Sequence, residues 1–275
     1  EILQVVRGLG QPDYRAQQIA EWVYRKGAHT YQQMTNLPQG LRDTMPDILP
    51  LKRLEVARAQ HSADGTVKYL FVLGDGEQVE AVYLPYEDRI SVCISSQVGC
   101  AAGCRFCATG QMGFSRNLTA GEMVDEVLTI QQSAGQRISH VVYMGMGEPL
   151  WNLQEVVKSI LLLNREVGIS QRHITVSTVG VVPGIYELAQ HRLQITLAIS
   201  LHAPDDELRK SIMPVGRKWK VRELIDAGRG DRRCGAWKST MTFPSLRCRT
   251  SYIALAVPRS CTSSVLGGEC LHGER

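Results

Sequence analysis

No stretch of this 275-residue chain holds enough consecutive apolar residues to cross a bilayer, and no signal-peptide pattern opens it. Both absences point to a reduced, cytoplasmic setting with no membrane partner. Cysteine is too scarce for a disulfide framework: residues 1–229 contain four, Cys93, Cys100, Cys104 and Cys107. A structural zinc site commonly uses two C-x2-C pairs, and no second pair stands nearby, although His140 or His202 could complete a tetrahedron. An excess of one charge is lacking too. Lys and Arg number 31 against 27 Asp and Glu, a formal charge of +4, which permits a nucleic-acid partner without arguing for one. The composition, 44% hydrophobic and 21% charged, is enough to bury a sizeable core, and one large domain with a small appendage is expected.

Against this background, three cysteines within eight residues stand out: Cys100, Cys104 and Cys107 in VGCAAGCRFCATG. A C-x3-C-x2-C triplet offers three thiolates from one loop and no fourth. An iron-sulfur cube held at three corners keeps one iron open to another ligand.

The chain divides into zones. Residues 1–52 read as a helical module, with Ala16, Ile19, Ala20 and Val23 at helical spacing and Gly27 as a stop. Residues 53–87 read as a short β segment, with TVKYLFVL and VEAVYLP separated by the turn-like GDGEQ. Residues 88–227 alternate β-type runs (RISVCIS, HVVYMGMG, HITVSTVG, ITLAISLHA) with amphipathic ones (AGEMVDEVLTIQQ, LQEVVKSILLLN, VPGIYELAQ, VRELIDA). That alternation predicts an α/β fold of four β-α units on a parallel sheet, a partial (β/α) barrel. Functional groups in such folds gather at the C-terminal ends of the strands. The four runs end in SSQVGC, GMGEP, STVG and SLHAP.

In GMGEP, glycines at 145 and 147 let the backbone approach a ligand, and Glu148 offers a carboxylate suited to an amino group. A tight strand-to-helix turn explains the same glycines. Ser177 with Thr178, and Ser200 with His202, could bond a ribose or a carboxylate, or cap helices. Arg217, Lys218, Lys220 and Arg222, with Arg209 and Lys210 just before, could track a phosphate backbone or form a solvated face.

The triplet, with GMGEP, STVG and LAISLHAPDDELR at these separations, resembles the radical S-adenosylmethionine enzymes. The run CISSQVGCAAGCRFCATGQMGFSRNLTAGE is similar to the RlmN/Cfr methyltransferases, and the likeness extends from about residue 10 to residue 227. The resemblance implies methylation of adenine carbon 2 in 23S ribosomal RNA and in transfer RNA. Cys100, Cys104 and Cys107 would hold a 4Fe-4S cluster that binds S-adenosylmethionine. Gly147 and Glu148 would grip the amino-acid part of that cofactor, and Ser177 with Ser200, Leu201 and His202 the rest. In this family a methylated cysteine carries the methyl group and a second cysteine releases it by forming a disulfide; Cys93 matches that second cysteine. Glu80 matches the proton acceptor. A small buried strand residue and an exposed strand position are what Cys93 and Glu80 would be without the resemblance. A monomer fed by a flavodoxin or ferredoxin type of electron donor is implied, with Arg15, Arg25 and Lys26 of the helical module as a candidate RNA surface. The alternatives are adenine C8 methylation, as in the Cfr branch, and a zinc-stabilised RNA-binding protein without activity.

The likeness stops near Gly228. Residues 228–275 sustain no amphipathic helix or clean strand apart from SYIALAV, and four cysteines, Cys234, Cys248, Cys261 and Cys270, are scattered through them. An abrupt change of composition is what a shift of reading frame produces. The C-terminal barrel units and the methyl-carrier cysteine are therefore expected to be missing, and the chain as written to be inactive in methyl transfer. Cys234-Gly235 lies too early to be the carrier.

Overall fold

The computed structural model describes residues 2–51 and 53–229, and the backbone of the strand at 238–242. The first 50 residues form the expected helical module: α1 (Ile2–Gly8), α2 (Tyr14–Ala20) continuing into a π-helical turn at Glu21–Arg25, and α3 (Gln39–Ile48). The chain leaves the π turn at Gly27, whose φ of 70° suits a residue without a Cβ. Val6, Ile19, Met34, Leu41 and Met45 close over one another in a core separate from the main one.

Strands β1 (Glu55–His61), β2 (Val67–Val72), β3 (Gln78–Pro85) and β4 (Ile90–Ile94) then run antiparallel to one another. The hairpin expected from GDGEQ is the β2–β3 turn. The sequence reading has no counterpart of β1: every residue of EVARAQH is exposed, so no face-to-face alternation marks it.

After β4 the chain forms a small hairpin, β5 (Gln97–Gly99) and β6 (Phe114–Asn117), around the cysteine loop and the short α4 (Ala108–Met112). The parallel units follow. They are α5 (Ala120–Ala134), β7 (His140–Tyr143), α6 (Leu153–Leu162), β8 (Ile174–Thr178), α7 (Val182–Gln190), β9 (Thr196–Ser200), α8 (Asp206–Ile212) and α9 (Val221–Arg229). All four runs read as strands are strands, and the four amphipathic runs are α5, α6, α7 and α9. One eight-stranded sheet results, in the order β1-β2-β3-β4-β7-β8-β9 and then a last strand, β10 (Lys238–Thr242). From β4 onward every pairing is parallel, so the sheet is an open, partial barrel.

Strand β10 corrects the reading of the tail, where no clean strand was expected before SYIALAV. KSTMT is short and mostly polar, so its pattern is weak; pairing along the edge of β9 supplies what periodicity does not. The SYIALAV run and Cys234, Cys248, Cys261 and Cys270 lie outside the described residues.

Local chemistry explains the key junctions. Helix α5 starts on a capping box in which Glu122 N–H donates to Thr119 Oγ1 (3.2 Å) and Thr119 N–H donates to Glu122 Oε2 (2.8 Å). It stops at Gly135 with φ 62°. Arg116 on β6 donates to Glu122 of α5 (2.8 Å) and to Asp75 of the β2–β3 turn (2.6 Å), pinning the hairpin beside the cysteine loop. The helical module is tied to α5 through Arg53, which pairs with Asp125 (2.7 Å) and donates to the Val23 carbonyl (2.9 Å).

Candidate active site

Strands β4, β7, β8 and β9 and the loops that follow them deliver side chains to a cavity of about 390 Å3 along the sheet. Its lining includes Cys93, Cys100, Cys104, Cys107, Gly147, Glu148, Ser177, Ser200 and His202. Of the residues singled out from sequence, these nine converge on one space. Leu201 and Glu80 do not line it. The Leu201 side chain is buried in the main core, so only its backbone is left to meet a ligand. Glu80 lies on β3 two residues from Val82, the partner of Cys93 across the β3–β4 ladder, so Glu80 and Cys93 share a sheet face. Its carboxylate pairs with Lys68 Nζ at 2.8 Å.

The GMGEP loop leaves β7 and folds back on the end of β4. A Cβ at Gly145 would lie 2.7 Å from the Ile94 carbonyl oxygen, and one at Gly147, where φ is 101°, 2.6 Å from Gln97 Cβ. Only glycine permits that approach. Glu148 is thereby carried into the interior, 1% exposed. Its Oε1 accepts the Leu150 N–H (3.0 Å) and its Oε2 the Val179 N–H (2.7 Å). Burial pushes the carboxyl up to about 7 despite these donors, so a cation beside it would be strongly favoured.

The cysteine loop rests on the segment after α8: Cys100, Ala102 and Cys104 pack on Met213 and Val215, and the Arg105 N–H donates to the Ile212 carbonyl (2.9 Å). Gly110 brings α4 against this loop, where a Cβ would lie 3.0 Å from Cys104 N. Burial pushes the Cys104 thiol up to about 11, with repulsion from Cys100, Cys107 and Glu148 adding to it. Burial likewise raises Cys100, with Glu148 and Cys107 contributing. Ring contact with Phe106 of the loop, at 4.6 Å between centroids, holds His202 at the cavity wall. Its φ of 56° is unusual for a residue with a side chain. Burial and then Arg209 hold its imidazole below the ordinary range. Ser177 and Ser200 hydroxyls lie 3.5 Å apart at the ends of β8 and β9. Thr178 Oγ1 instead accepts the Gly180 N–H (3.0 Å) and the Val181 N–H (3.3 Å), holding the turn before α7 rather than capping the helix.

One basic residue is not where the sequence suggested. Arg209, grouped with an RNA-tracking face, is 0% exposed. Its stem packs against Gly216, and the guanidinium donates to the Val179 and Trp219 carbonyls. On the helical module Arg25 and Lys26 are exposed and Arg15 is half-buried; Arg25 donates to the Glu166 (3.0 Å) and Arg165 (3.1 Å) carbonyls, and Arg15 to that of Asn36 (2.9 Å). Arg217, Lys218, Lys220 and Arg222 remain exposed.

Comparison with known proteins bears on this geometry. The family model described as the radical SAM superfamily matches residues 94–230, and that of the ribosomal RNA large subunit methyltransferase N-terminal domain matches residues 1–50. A solved radical SAM methyltransferase from Sphaerobacter thermophilus superposes with a TM-score of 0.82 at 44% identity, over 88% of this chain and 72% of that one. The chain belongs to the radical SAM methyltransferases.

Curated relatives are of the RlmN type. The probable dual-specificity RNA methyltransferase RlmN of Thermosynechococcus vestitus is 50% identical over 82% of this chain, and that of Thermus thermophilus is 49% identical over 78%. The chain spans 66% and 62% of the lengths of these two relatives, just under two thirds.

A radical SAM protein uses a 4Fe-4S cluster and S-adenosylmethionine, and the donor set here fits both. Among the described residues no three His, Cys, Asp or Glu side chains converge closely enough to hold a single metal ion. The three thiols share one loop, line one cavity and act on one another electrostatically, as thiols that hold one cluster must. The buried carboxylate of Glu148 faces the same cavity, and among the described residues no cation pairs with it. The ammonium of an amino-acid moiety is of the right charge for it.

Among the described residues no helix is long and apolar enough to cross a membrane. Functional groups that the sequence did not disclose are Gln97, whose side-chain oxygen accepts the Glu148 N–H (2.8 Å), and Val179, which acts through its backbone. Arg89, His140 and His173 also line the cavity, with the two imidazoles stacked at 4.1 Å.

Proposed function

We propose that this chain is the cluster- and cofactor-binding part of a methyltransferase that modifies carbon 2 of adenine in 23S ribosomal RNA and transfer RNA. The observation that carries the reading is the meeting of Cys100, Cys104, Cys107 and the buried Glu148 carboxylate at one cavity. Carbon 2 of adenine is not nucleophilic, so methylation there needs the one-electron chemistry that a 4Fe-4S cluster and S-adenosylmethionine supply when bound.

In this reading the three cysteines hold the cluster. Gly147 provides the close backbone approach and Glu148 the counter-charge for the cofactor's amino group, while Ser177, Ser200 and His202, with the Leu201 backbone, meet the remainder. Cys93 serves as the redox partner of the methyl-carrier cysteine. Glu80 accepts the proton leaving the ring, once released from Lys68. A target adenine must be unstacked before its ring can enter such a cavity. The exposed Arg217, Lys218, Lys220 and Arg222, with Arg25 and Lys26 of the helical module, are the RNA-facing charges. The chain acts as a monomer, and a flavodoxin or ferredoxin delivers the electron to the loop, where Phe106 and Met112 lie exposed. Its working units are residues 1–52, 53–87 and 88–227.

The test is a chimera of residues 1–227 with the C-terminal segment of the Thermosynechococcus relative, produced in cells lacking C2 methylation. Mass spectrometry of digested RNA is expected to show 2-methyladenosine. Formation of 8-methyladenosine, or of no methylated adenosine by a folded chimera, would overturn the reading.

A further inference from the structure

Among the described residues, Arg209 is the one arginine wholly removed from solvent. Its Nη2 donates to the Val179 carbonyl (2.5 Å) and its Nη1 to the Trp219 carbonyl (3.3 Å), while Nε has no partner. Among the described residues no carboxylate lies within ion-pair distance of it. Asp206, one turn earlier, acts on it only through space, its Oδ1 being taken by the Val221 N–H (2.7 Å). Burying a cation against two carbonyls alone is strongly unfavourable, so the site is expected to serve an anion.

Two observations say which. Arg209 lies within electrostatic reach of Cys104, and the cysteine loop is seated on the residues that follow it, Met213 and Val215. The residue that takes its Nη2 hydrogen bond is also the one whose N–H holds Glu148: Val179 accepts from Arg209 through its carbonyl and donates to Glu148 through its amide. One guanidinium therefore acts on both halves of the site, on the cysteine loop through the field it exerts at Cys104 and on the carboxylate clamp through a single residue.

We infer that Arg209 is a positioning residue: it places a fixed positive charge within electrostatic reach of the cysteine-held cluster and locks Val179 so that Glu148 is aimed at the cofactor's amino group. This rests on the function proposed above and adds a residue to it. A cube bound by three thiolates carries net negative charge and gains more on taking up an electron. A buried cation near it favours the reduced form and raises the potential. Lysine would retain the charge but not the fork that spans two carbonyls.

The experiment uses the full 275-residue chain as wild type, Arg209→Met and Arg209→Lys, each reconstituted anaerobically with iron and sulfide. The cluster potential is read by titration with dithionite, which supplies the electron, followed by electron paramagnetic resonance. S-adenosylmethionine affinity is read by calorimetry on the same samples. Arg209→Met is expected to shift the potential to more negative values and to weaken cofactor binding about tenfold, the usual scale for loss of an outer partner. Arg209→Lys is expected to keep the wild-type potential while still losing affinity. A purely structural arginine would change folded yield but neither readout.

A wild type that takes up a cluster, with variants unchanged in potential and affinity, overturns this inference alone. A wild type that takes up none overturns the proposed function and the inference with it. If Arg209→Met does not fold, Arg209→Lys decides, and wild-type cofactor affinity in that variant overturns the assignment.

Discussion

Gln97 and Glu148 are joined in the interior behind the site: the Glu148 N–H donates to Gln97 Oε1 at 2.8 Å, and the neighbouring Gly147 leaves no room for a side chain against Gln97. The entrance to the cysteine loop and the loop after β7 thus fix one another.

Substituting Gly147 by alanine would place its Cβ 2.6 Å from Gln97 Cβ at a φ of 101°. Strain and crowding together are expected to cost about 2–3 kcal/mol, measured by urea unfolding. S-adenosylmethionine binding is expected to fall in the same variant. Gln97→Gly removes the Cβ and Cγ that the new side chain would meet as well as a hydrogen bond, so the double variant is expected to recover part of the lost stability. An additive double variant would show that the two residues do not meet as described.

Glu148 makes the site sensitive to pH. Its folded pKa of about 7 lies above its ordinary 4.5, so the native state holds a proton that the unfolded chain releases between those values. Its contribution is lost as pH rises from about 4.5 to 7, a cost of roughly 3 kcal/mol in the absence of a cation. A bound ammonium removes that cost by favouring the carboxylate. Cofactor affinity is therefore expected to increase from pH 5.5 to 8 in the wild type and to be weak and flat over that range in Glu148→Gln, both read by calorimetry.

His202 keeps a side chain at a φ of 56°, where most residues are strained. Comparing His202→Gly with His202→Ala isolates the backbone, since both delete the ring that meets Phe106. The glycine variant is expected to be about 1 kcal/mol more stable by thermal unfolding. Equal stabilities would mean that the backbone is not held there.

Arg53 and Asp125 join the helical module to α5 with side chains only 16% and 25% exposed. Burial raises the Asp125 carboxyl even though Arg53 opposes it, so the pair exists to neutralise a carboxylate that folding has already desolvated. Removing the cation should then be worse than removing the anion. Arg53→Met is expected to lose about 2–3 kcal/mol at pH 7, and Asp125→Asn about 1 kcal/mol. The Arg53→Met deficit should shrink as pH falls and Asp125 takes up a proton.

The barrel was legible because β4, β7, β8 and β9 are buried runs that alternate with amphipathic helices, a pattern that only a covered parallel sheet produces. The exposed β1 and the polar β10 gain their structure from pairing with a neighbour, which leaves little trace in their own residues. Cys100, Cys104, Cys107 and Glu148 could be picked out because their chemistry resides in their side chains. Val179 could not, since it contributes an N–H and a carbonyl that any residue has. Arg209 misled because a basic residue beside Lys210 reads as surface, whereas the fold turns it inward onto the Val179 and Trp219 carbonyls.

Anaerobic reconstitution with iron and sulfide tests the central claim most directly, with the wild type set beside single alanine variants of Cys100, Cys104 and Cys107. A brown, oxygen-sensitive wild type is predicted, holding iron and sulfide in equal amounts, with a reduced electron paramagnetic resonance signal that S-adenosylmethionine perturbs and no cluster in any variant. A colourless protein that takes up zinc instead, or a cluster that survives loss of one of these cysteines, would contradict the account.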